Sequence, residues 1–268
     1  MVSILRALAD LEDQNQPGVL CTIIRSLGST PRHVGSKMLV YPDGHILGSI
    51  GGGEMERRVI DEALAATRDG KARLLEYSMS DPQRGDPGVC GGKVEIFVEP
   101  LQPKPTLLVV GMGHVGKAVA YLGRWLGFRV AVSDDRLEFC TPETVPEADV
   151  HLAIPMADLP NQLKITPWTY IVLTTRSVDL DVPGLPALLA TPAAYIGIIG
   201  SKRRWATTKA QLIANGVSEE ALNRVRSPMG LEISAETPQE IAVSILAEII
   251  RLRGNVQSDV VQQKQVIE

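Results

Sequence analysis

The sequence predicts an α/β protein in which a mixed α/β N-terminal domain is followed by a doubly wound parallel-sheet domain. In the second half, short apolar segments alternate with segments of helical spacing, a pattern typical of βαβ units in a parallel sheet. Aromatic residues make up only 4% of the 268 residues. The core must therefore consist mainly of Ile, Leu, Val and Ala, which suits parallel strands buried on both faces.

A proline-rich segment separates the predicted domains. Residues 101–105 read Leu-Gln-Pro-Lys-Pro, and prolines stiffen a linker and are excluded from the centre of a sheet. We therefore expect an N-terminal domain over residues 1–100, a second domain over residues 106–253 and a polar tail over residues 254–268.

Local patterns place the elements of both domains. In the first domain they predict helices over Ser3–Gln14 and from Glu54, and strands at 19–25, 37–41, 45–50, 72–77 and 94–98. In the second domain they predict strands at 106–110, 129–133, 149–154, 170–174 and 195–199, with a helix after the first strand, one near Pro186–Ala190 and one from Thr237. The last helix opens with a capping box, Thr237-Pro238-Gln239-Glu240.

Bulk properties exclude several classes of protein. The net charge is −4 and long Lys/Arg runs are absent from the sequence, so we expect no nucleic-acid partner. The sequence holds no stretch of 18 apolar residues, which predicts no membrane span, and Met1–Gln16 resembles an amphipathic helix rather than a signal peptide. Three widely spaced cysteines, Cys21, Cys90 and Cys140, argue against a disulfide framework and for the cytoplasm.

The strongest motif is Gly111-Met112-Gly113-His114-Val115-Gly116. It follows a predicted strand and opens a helix, and the next strand ends at Asp134, at roughly the 20-residue spacing of a ribose-binding acid. The glycines permit a tight turn, the approach of a pyrophosphate and close helix–strand packing, while the helix N-terminus attracts anions. These features predict a Rossmann-type domain, with NAD(P) binding at Gly111, Gly113, His114, Gly116, Asp134 and Arg136. A Rossmann fold that has lost its nucleotide is the alternative.

The second domain shows a nucleotide cradle without a visible acid–base pair. The four histidines are His33, His45, His114 and His151, and no tyrosine has a lysine four residues further on. His114 begins a helix, where burial against N–H groups is expected rather than catalysis. The basic helix start at Lys202–Arg204 fits either a bound anion or a solvated turn.

Three glycine-rich loops characterise the first domain. They are Gly28–Gly35 with Arg32, Gly51-Gly52-Gly53 ahead of Glu56, and Cys90-Gly91-Gly92. Glycine lets backbone approach a ligand closely, and successive N–H groups bind anions, although each loop alone fits ordinary turn chemistry. Cys90 lies in a polar loop beside Arg84, Asp86 and Lys93, where cations can lower a thiol pKa. Cys21 is expected to be inert core.

At these residues the sequence resembles the xanthine dehydrogenase accessory factor family (XdhC/CoxI), from about residue 3 to 253. The resemblance rests on motifs spread over both domains: Gly28-Ser29-Thr30-Pro31-Arg32, Gly51-Gly52-Gly53 with Glu56, Cys90-Gly91-Gly92, Gly111–Gly116, Asp134 with Arg136, Tyr195–Ser201, Pro228–Leu231 and Thr237–Ala242.

The resemblance implies an accessory chaperone that binds molybdopterin, supports its sulfuration and inserts it into a molybdenum hydroxylase apoenzyme, with a cysteine desulfurase as a further partner. Cys90 would contact the molybdenum or its sulfur donor. Arg32, Gly51, Gly52, Gly53, Glu56, Gly91 and Gly92 would cradle the anionic cofactor. The client enzyme and the mono- or dinucleotide form of the cofactor stay open, and a homodimer is compatible with the sequence.

Two positions depart from the family pattern. Many members continue after Thr175-Arg176 with Gly-His, where this chain has Ser177-Val178, and Ser234 stands where glycine is common. The acid that those members have three residues after that histidine is matched here by Asp181.

Two other functions compete with the chaperone interpretation. They are an NAD(P)-dependent oxidoreductase of unknown substrate, based on the second domain, and a regulatory binding module without cargo or turnover.

Overall fold

The structure is a computed structural model that describes residues 3–79, 87 and 91–262, with side chains as far as residue 253. The chain divides into two compact units, one of Met1–Pro103 with Val256–Glu268 and one of Lys104–Asn255. Each unit is an α/β structure with its own sheet, so the predicted fold class is confirmed.

The first unit contains a five-stranded antiparallel sheet. Its strands are β1 (Gly18–Leu27), β2 (Lys37–Val40), β3 (Ile46–Gly48), β4 (Arg73–Ser78) and β5 (Lys93–Leu101). They lie in the order β3-β2-β1-β5-β4, and every pair is antiparallel.

Two helices pack against this sheet, α1 (Ile4–Asp13) and α2 (Gly53–Asp69). Met38 and Val40 of β2 belong to the apolar cluster that contains the buried face of α2, while Leu39 packs with residues of α1. Successive side chains of a strand point to opposite faces of the sheet. The uninterrupted burial of Met38-Leu39-Val40 therefore arises because β2 is covered on both faces.

The second unit contains a six-stranded parallel sheet. Its strands are β6 (Thr106–Val110), β7 (Arg129–Ser133), β8 (Val150–Leu152), β9 (Thr169–Leu173), β10 (Tyr195–Ile198) and β11 (Val225–Arg226). The order β8-β7-β6-β9-β10-β11 is that of a doubly wound Rossmann sheet. The direction of winding reverses between β6 and β9, which places a crevice at their carboxyl ends.

Helices cover both faces of the parallel sheet. The helices of this unit are α3 (His114–Trp125), α4 (Leu159–Gln162), α5 (Val178–Leu189), α6 (Lys202–Ala214), α7 (Glu219–Leu222) and α8 (Pro238–Gln262). Helix α8 belongs to this unit as far as Asn255. Leu107 and Val109 of β6 pack in a cluster with residues of α3 and α8. Leu108 and Val110 pack in a second cluster with residues of α5 and α6.

Several details differ from the sequence expectation, among them helix α5, strand β11 and the end of helix α8, while the short helices α4 and α7 were not predicted. Helix α5 begins at Val178 rather than near Pro186, because Pro183 and Pro186 lie inside the helix instead of at its start. The two-residue strand β11 was not predicted. Helix α8 continues through Gly254 to Gln262, and one glycine inside a helix costs only about 1 kcal/mol. Within the described ranges, none of the helices combines the length and apolar character needed to cross a membrane.

Ser234 allows a test of backbone strain, because its φ of 56° lies in the left-handed region. A non-glycine residue there costs roughly 1 kcal/mol. We therefore expect Ser234→Gly to have a free energy of unfolding about 1 kcal/mol higher than that of Ser234→Ala, measured from urea unfolding midpoints. At the neighbouring Ala235, whose φ is not positive, Ala→Gly should destabilise. Equal stability of the two Ser234 variants would contradict the strain.

Candidate functional site

The crevice in the second unit depends on a close approach between β6, α3 and β9. A Cβ atom on Gly116 would lie 2.0 Å from the carbonyl oxygen of Gly111, and one on Gly111 would lie 2.7 Å from that of Thr174. The φ of Gly111 is also +100°, which side chains other than glycine rarely adopt. Both glycines are therefore required by the backbone itself.

Gly113 is different, because packing does not require a glycine there. Its φ is −74°, and an added Cβ would meet no atom within 4 Å. The residue precedes α3 at its N-terminus and lines a cavity of about 560 Å³. The missing side chain thus leaves open space at the positive end of a helix, where an anionic group is favoured.

Asp134, which follows β7, ties the glycine loop to the cavity wall. The residue is buried, with 2% of its surface exposed. Its Oδ2 accepts hydrogen bonds from the Met112 N–H at 2.7 Å and from Arg136 Nη2 at 3.1 Å. Its Oδ1 accepts hydrogen bonds from the Arg136 backbone N–H at 3.0 Å and from Arg136 Nε at 2.9 Å. A carboxylate has about four lone-pair sites. The acid predicted to hold a ribose is therefore fully engaged within the protein.

Arg136 combines this ion pair with an aromatic contact. Its guanidinium carbon lies 3.7 Å from the centre of the Phe139 ring, and both residues line the cavity. The Asp134 carboxylate raises the pKa of Arg136. A guanidinium fixed in this way presents a flat surface on which a base can stack.

A second ion pair joins Asp135, which follows β7, to Arg176, which follows β9. Arg176 Nη1 and Nη2 each donate to a different carboxylate oxygen of Asp135, both at 2.7 Å. Arg176 lowers the pKa of Asp135 to about 2. Because this folded pKa lies below the ordinary value, the pair stabilises the fold above about pH 4, and the contribution is lost as the pH falls toward 2.

Asp181, the acid matched to the family pattern, forms part of a buried network. It is fully buried, accepts a hydrogen bond from the Thr175 hydroxyl and pairs with Arg204 Nη2 at 2.6 Å. Arg204 also donates to the carbonyl oxygen of Thr175 at 2.9 Å. From the sequence, Arg204 fitted either an anion site or a solvated turn, and the structure instead directs it to Asp181.

The described histidines of this unit are not buried. His114 is exposed at the start of α3 and lines the cavity, so the expectation that it is buried against N–H groups was wrong. His151 is half-buried on β8, and its Nε2 lies 2.9 Å from the carbonyl oxygen of Val145, which precedes that strand.

In the first unit the structure brings the three glycine loops together. A Cβ on Gly92 would lie 2.2 Å from the carbonyl oxygen of Ser29, and one on Gly28 would lie 3.3 Å from that of Gly91. On another side, a Cβ on Gly51 would lie 3.2 Å from Cβ of Pro31. The loops of Gly28 and Gly92 therefore meet backbone to backbone, whereas the Gly51 loop meets the Pro31 side chain. Gly91 is the chain neighbour of Cys90. Cys90 itself lies outside the described residues.

Glu56 orders the Gly51–Gly53 loop. Its Oε2 accepts hydrogen bonds from the Ser49 hydroxyl at 2.6 Å, from the Ile50 N–H at 3.1 Å and from the Gly52 N–H at 3.2 Å. Glu56 thus engages two amides in and beside the loop that was expected to bind an anionic ligand. A direct contact of Glu56 or of this loop with a cofactor stays a prediction.

Arg32 and the two described cysteines occupy opposite environments. Arg32 is exposed in the Gly28–Gly35 loop. Cys21 is fully buried, and burial raises the pKa of its thiol to about 12, which confirms its interpretation as inert core. Cys140, unassigned from sequence, is also buried, and burial raises its thiol pKa.

Fold and cavity define the class of the chain as a two-unit α/β protein with a Rossmann domain in its second unit. A family model for the XdhC Rossmann domain matches residues 107–249, more than half of the chain. A model for the XdhC and CoxI family matches residues 11–78. The chain belongs to the XdhC/CoxI family, and the resemblance found from its motifs is confirmed.

Three relatives cover most or much of the chain. It is 38% identical over 258 residues to the uncharacterized protein YqeB of Escherichia coli K12, covering 95% of this chain and 47% of that protein. It is 33% identical over 161 residues to a probable xanthine dehydrogenase subunit of Bacillus subtilis 168, covering 60% of this chain and 47% of that protein. The molybdenum cofactor insertion chaperone PaoD of E. coli K12 is 24% identical over 289 residues, covering 96% and 90%.

The chain therefore spans about half the length of the first two of these relatives. Among solved structures, one described as a xanthine dehydrogenase from Bacillus halodurans matches with a TM-score of 0.51 and 23% identity, covering 95% of this chain and 96% of that chain. This similarity supports the fold.

Two of the three Asp–Arg pairs described at or near the cavity predict different costs of truncation. Asp181→Ala leaves Arg204 inside the protein without its carboxylate, so we expect the free energy of unfolding to fall by about 3 kcal/mol. Asp135→Ala removes a pair that is one-third to one-half exposed, so we expect a loss of at most about 1 kcal/mol. Urea unfolding monitored by circular dichroism measures both. Equal losses would contradict the distinction between a buried and an exposed pair.

Proposed function

We propose that the chain is an accessory chaperone in molybdenum cofactor maturation, which binds the cofactor and inserts it into an apoenzyme of the xanthine dehydrogenase type. The observation that carries the proposal is the meeting of the three glycine loops in the first unit. Membership of the XdhC/CoxI family and the 24% identity to a protein named as a molybdenum cofactor insertion chaperone support it.

The chemistry of the loops suits an anionic cofactor carried as cargo. Gly91 is exposed and a Cβ on it would meet no atom within 4 Å, so a flat pterin can approach main-chain atoms there. Gly28 and Gly92 instead let the loops touch. Arg32 is the exposed cation of the Gly28–Gly35 loop and would pair with the phosphate of the cofactor. Cys90, the neighbour of Gly91, would contact the molybdenum or its sulfur donor. Glu56 would act indirectly, by holding the adjoining loop.

The proposed partners and cellular location follow from the same chaperone function. The protein would work in the cytoplasm with a cysteine desulfurase that supplies the terminal sulfur, and with a molybdenum hydroxylase apoenzyme as its client. A homodimer is part of this proposal. In this function the chain carries its cargo and performs no turnover of its own.

The cargo function is tested by purifying the full chain from cells that make molybdopterin and measuring released pterin fluorescence. We expect Arg32→Ala to lower the pterin content about tenfold, because a charge-assisted hydrogen bond contributes about 1.5–3 kcal/mol. Cys90→Ala should lower the content further. Arg6→Ala removes an exposed arginine of α1 that pairs with Asp10 and should leave the content unchanged. Equal, pterin-free preparations of wild type and Cys90→Ala would overturn the proposal.

We also propose that the cavity of the second unit binds a pyrophosphate-linked nucleotide, either NAD(P) or a dinucleotide form of the molybdenum cofactor. The open space at Gly113 beside the N-terminus of α3 supports this. The guanidinium of Arg136 on Phe139 offers a surface for a base. An NAD(P)-dependent oxidoreductase is the alternative function, and it requires a proton donor. Among the described cavity-lining residues, the candidate histidine for that role is His114.

Gly113→Val is the sharpest test of this cavity, because its side chain would fill open space. We expect calorimetric titrations with ADP, NAD+ and NADP+ to show at least tenfold weaker binding to Gly113→Val than to wild type, with an unchanged unfolding midpoint. Gly127→Ala, in the turn after α3 and outside the cavity lining, is the control for binding and should leave nucleotide affinity unchanged. Because the φ of Gly127 is +83°, this control is expected to lower the unfolding midpoint, unlike Gly113→Val. If wild type binds none of the three, the nucleotide proposal is wrong, whereas the pterin assay judges the chaperone separately.

A further inference from the structure

The Asp135–Arg176 pair crosses the place where a nucleotide would lie. Asp135 follows β7 and Arg176 follows β9, and β6 lies between these two strands in the sheet. Neighbouring strands are about 4.8 Å apart, so the two side chains reach toward each other across the carboxyl end of β6. Both line the cavity that begins at Gly111 and Gly113. The pair therefore spans the point of winding reversal, where ligands of such sheets bind.

The charges of the cavity are balanced within the protein. Among its described lining residues, Asp134 pairs with Arg136 and Asp135 pairs with Arg176. A pyrophosphate that entered would meet two guanidinium groups, each already bound to a carboxylate. The Nη1 and Nη2 groups of Arg176 are already bound to Asp135, so a phosphate gains that two-pronged contact only where the carboxylate is released.

The two pairs differ in how easily they separate. The side chain of Asp134 is 1% exposed and is held by the Met112 N–H as well as by Arg136. Releasing it from Arg136 would leave a buried charge short of partners, which is costly. The side chains of Asp135 and Arg176 are 34% and 48% exposed. A released Asp135 carboxylate can therefore be hydrated in place.

We propose that Arg176 is a phosphate-binding residue. Without a nucleotide it is bound to the Asp135 carboxylate, and when a nucleotide enters it exchanges that carboxylate for a phosphate group. A guanidinium binds phosphate and carboxylate with the same two-pronged geometry. Asp135 thus acts as an internal competitor that lowers affinity and keeps Arg176 placed at the crevice. This inference rests on the proposed nucleotide site.

The exchange predicts that breaking an ion pair strengthens binding. Asp135→Asn keeps the size of the side chain but removes the competing charge, so we expect the dissociation constant for ADP to fall about threefold to tenfold. Arg176→Gln should raise it about tenfold. In the double variant Asp135→Asn/Arg176→Gln, the gain from the first change should vanish. Isothermal titration calorimetry on the full chain measures all four proteins.

Two controls distinguish the exchange of Asp135 for a phosphate from a general effect of removing a negative charge. Asp179→Asn removes an exposed acid from the first turn of α5 and should alter ADP affinity less than about twofold, as expected for a solvated charge. Adenosine lacks phosphates, so Asp135→Asn should leave its affinity unchanged. A purely structural role of the ion pair predicts equal or weaker ADP binding by Asp135→Asn.

The outcomes distinguish the two proposals. If wild type binds ADP but Asp135→Asn binds it equally or more weakly, the exchange is wrong and the nucleotide site stands. If the gain persists in the double variant, Arg176 is not the residue released, which also overturns the exchange. If wild type binds neither ADP nor the dinucleotides, both proposals fall together.

Discussion

The close approach of Gly116 to the carbonyl oxygen of Gly111 is the contact on which the second unit depends. It draws the start of α3 onto the end of β6, and the Thr174 hydroxyl satisfies the Gly111 carbonyl oxygen at 2.6 Å. Because β6 lies between β7 and β9, this contact also sets where the residues after those two strands stand. The amide groups of the first turn of α3 are thereby directed into the cavity that Asp134 and Arg176 line.

Burial decides which parts of the cavity are fixed and which are adjustable. Asp134 and Asp181 are both nearly or fully inaccessible to water, and each is surrounded by several donors, because an unpaired buried carboxylate would be very costly. These two acids hold the glycine loop and the start of α5. Asp135 is bound by a single arginine at a partly hydrated position, where exchanging partners costs much less. One set of charges therefore maintains the shape, and the other can respond to a ligand.

The sequence predicted the elements whose signals are local. The strand before Gly111, the helix after Gly113 and the acid at Asp134 were all expected, because turn geometry and helix packing dictate those residue types at that spacing. Helix α5 was misplaced because its internal prolines resemble a helix start. The pairs Asp135–Arg176 and Asp181–Arg204 were missed, since their partners are 41 and 23 residues apart in the chain. No local pattern encodes such contacts; the only signal was that acids and arginines follow strands of one parallel sheet.

The glycines have different structural roles in the two units. These roles affect how each unit can attract a negatively charged ligand. In the second unit, Gly113 leaves the N-terminal amides of α3 facing open space, so the backbone itself offers positive potential. In the first unit, the Ile50 and Gly52 amides are already bound by Glu56, and glycines 28 and 92 serve mainly to let loops touch. Attraction for an anionic cofactor in the first unit must therefore come chiefly from side chains, of which Arg32 is the exposed example. In such a site the backbone would determine the shape of the binding surface, and a few cationic side chains would provide the affinity. This combination suits a cofactor that must later be released.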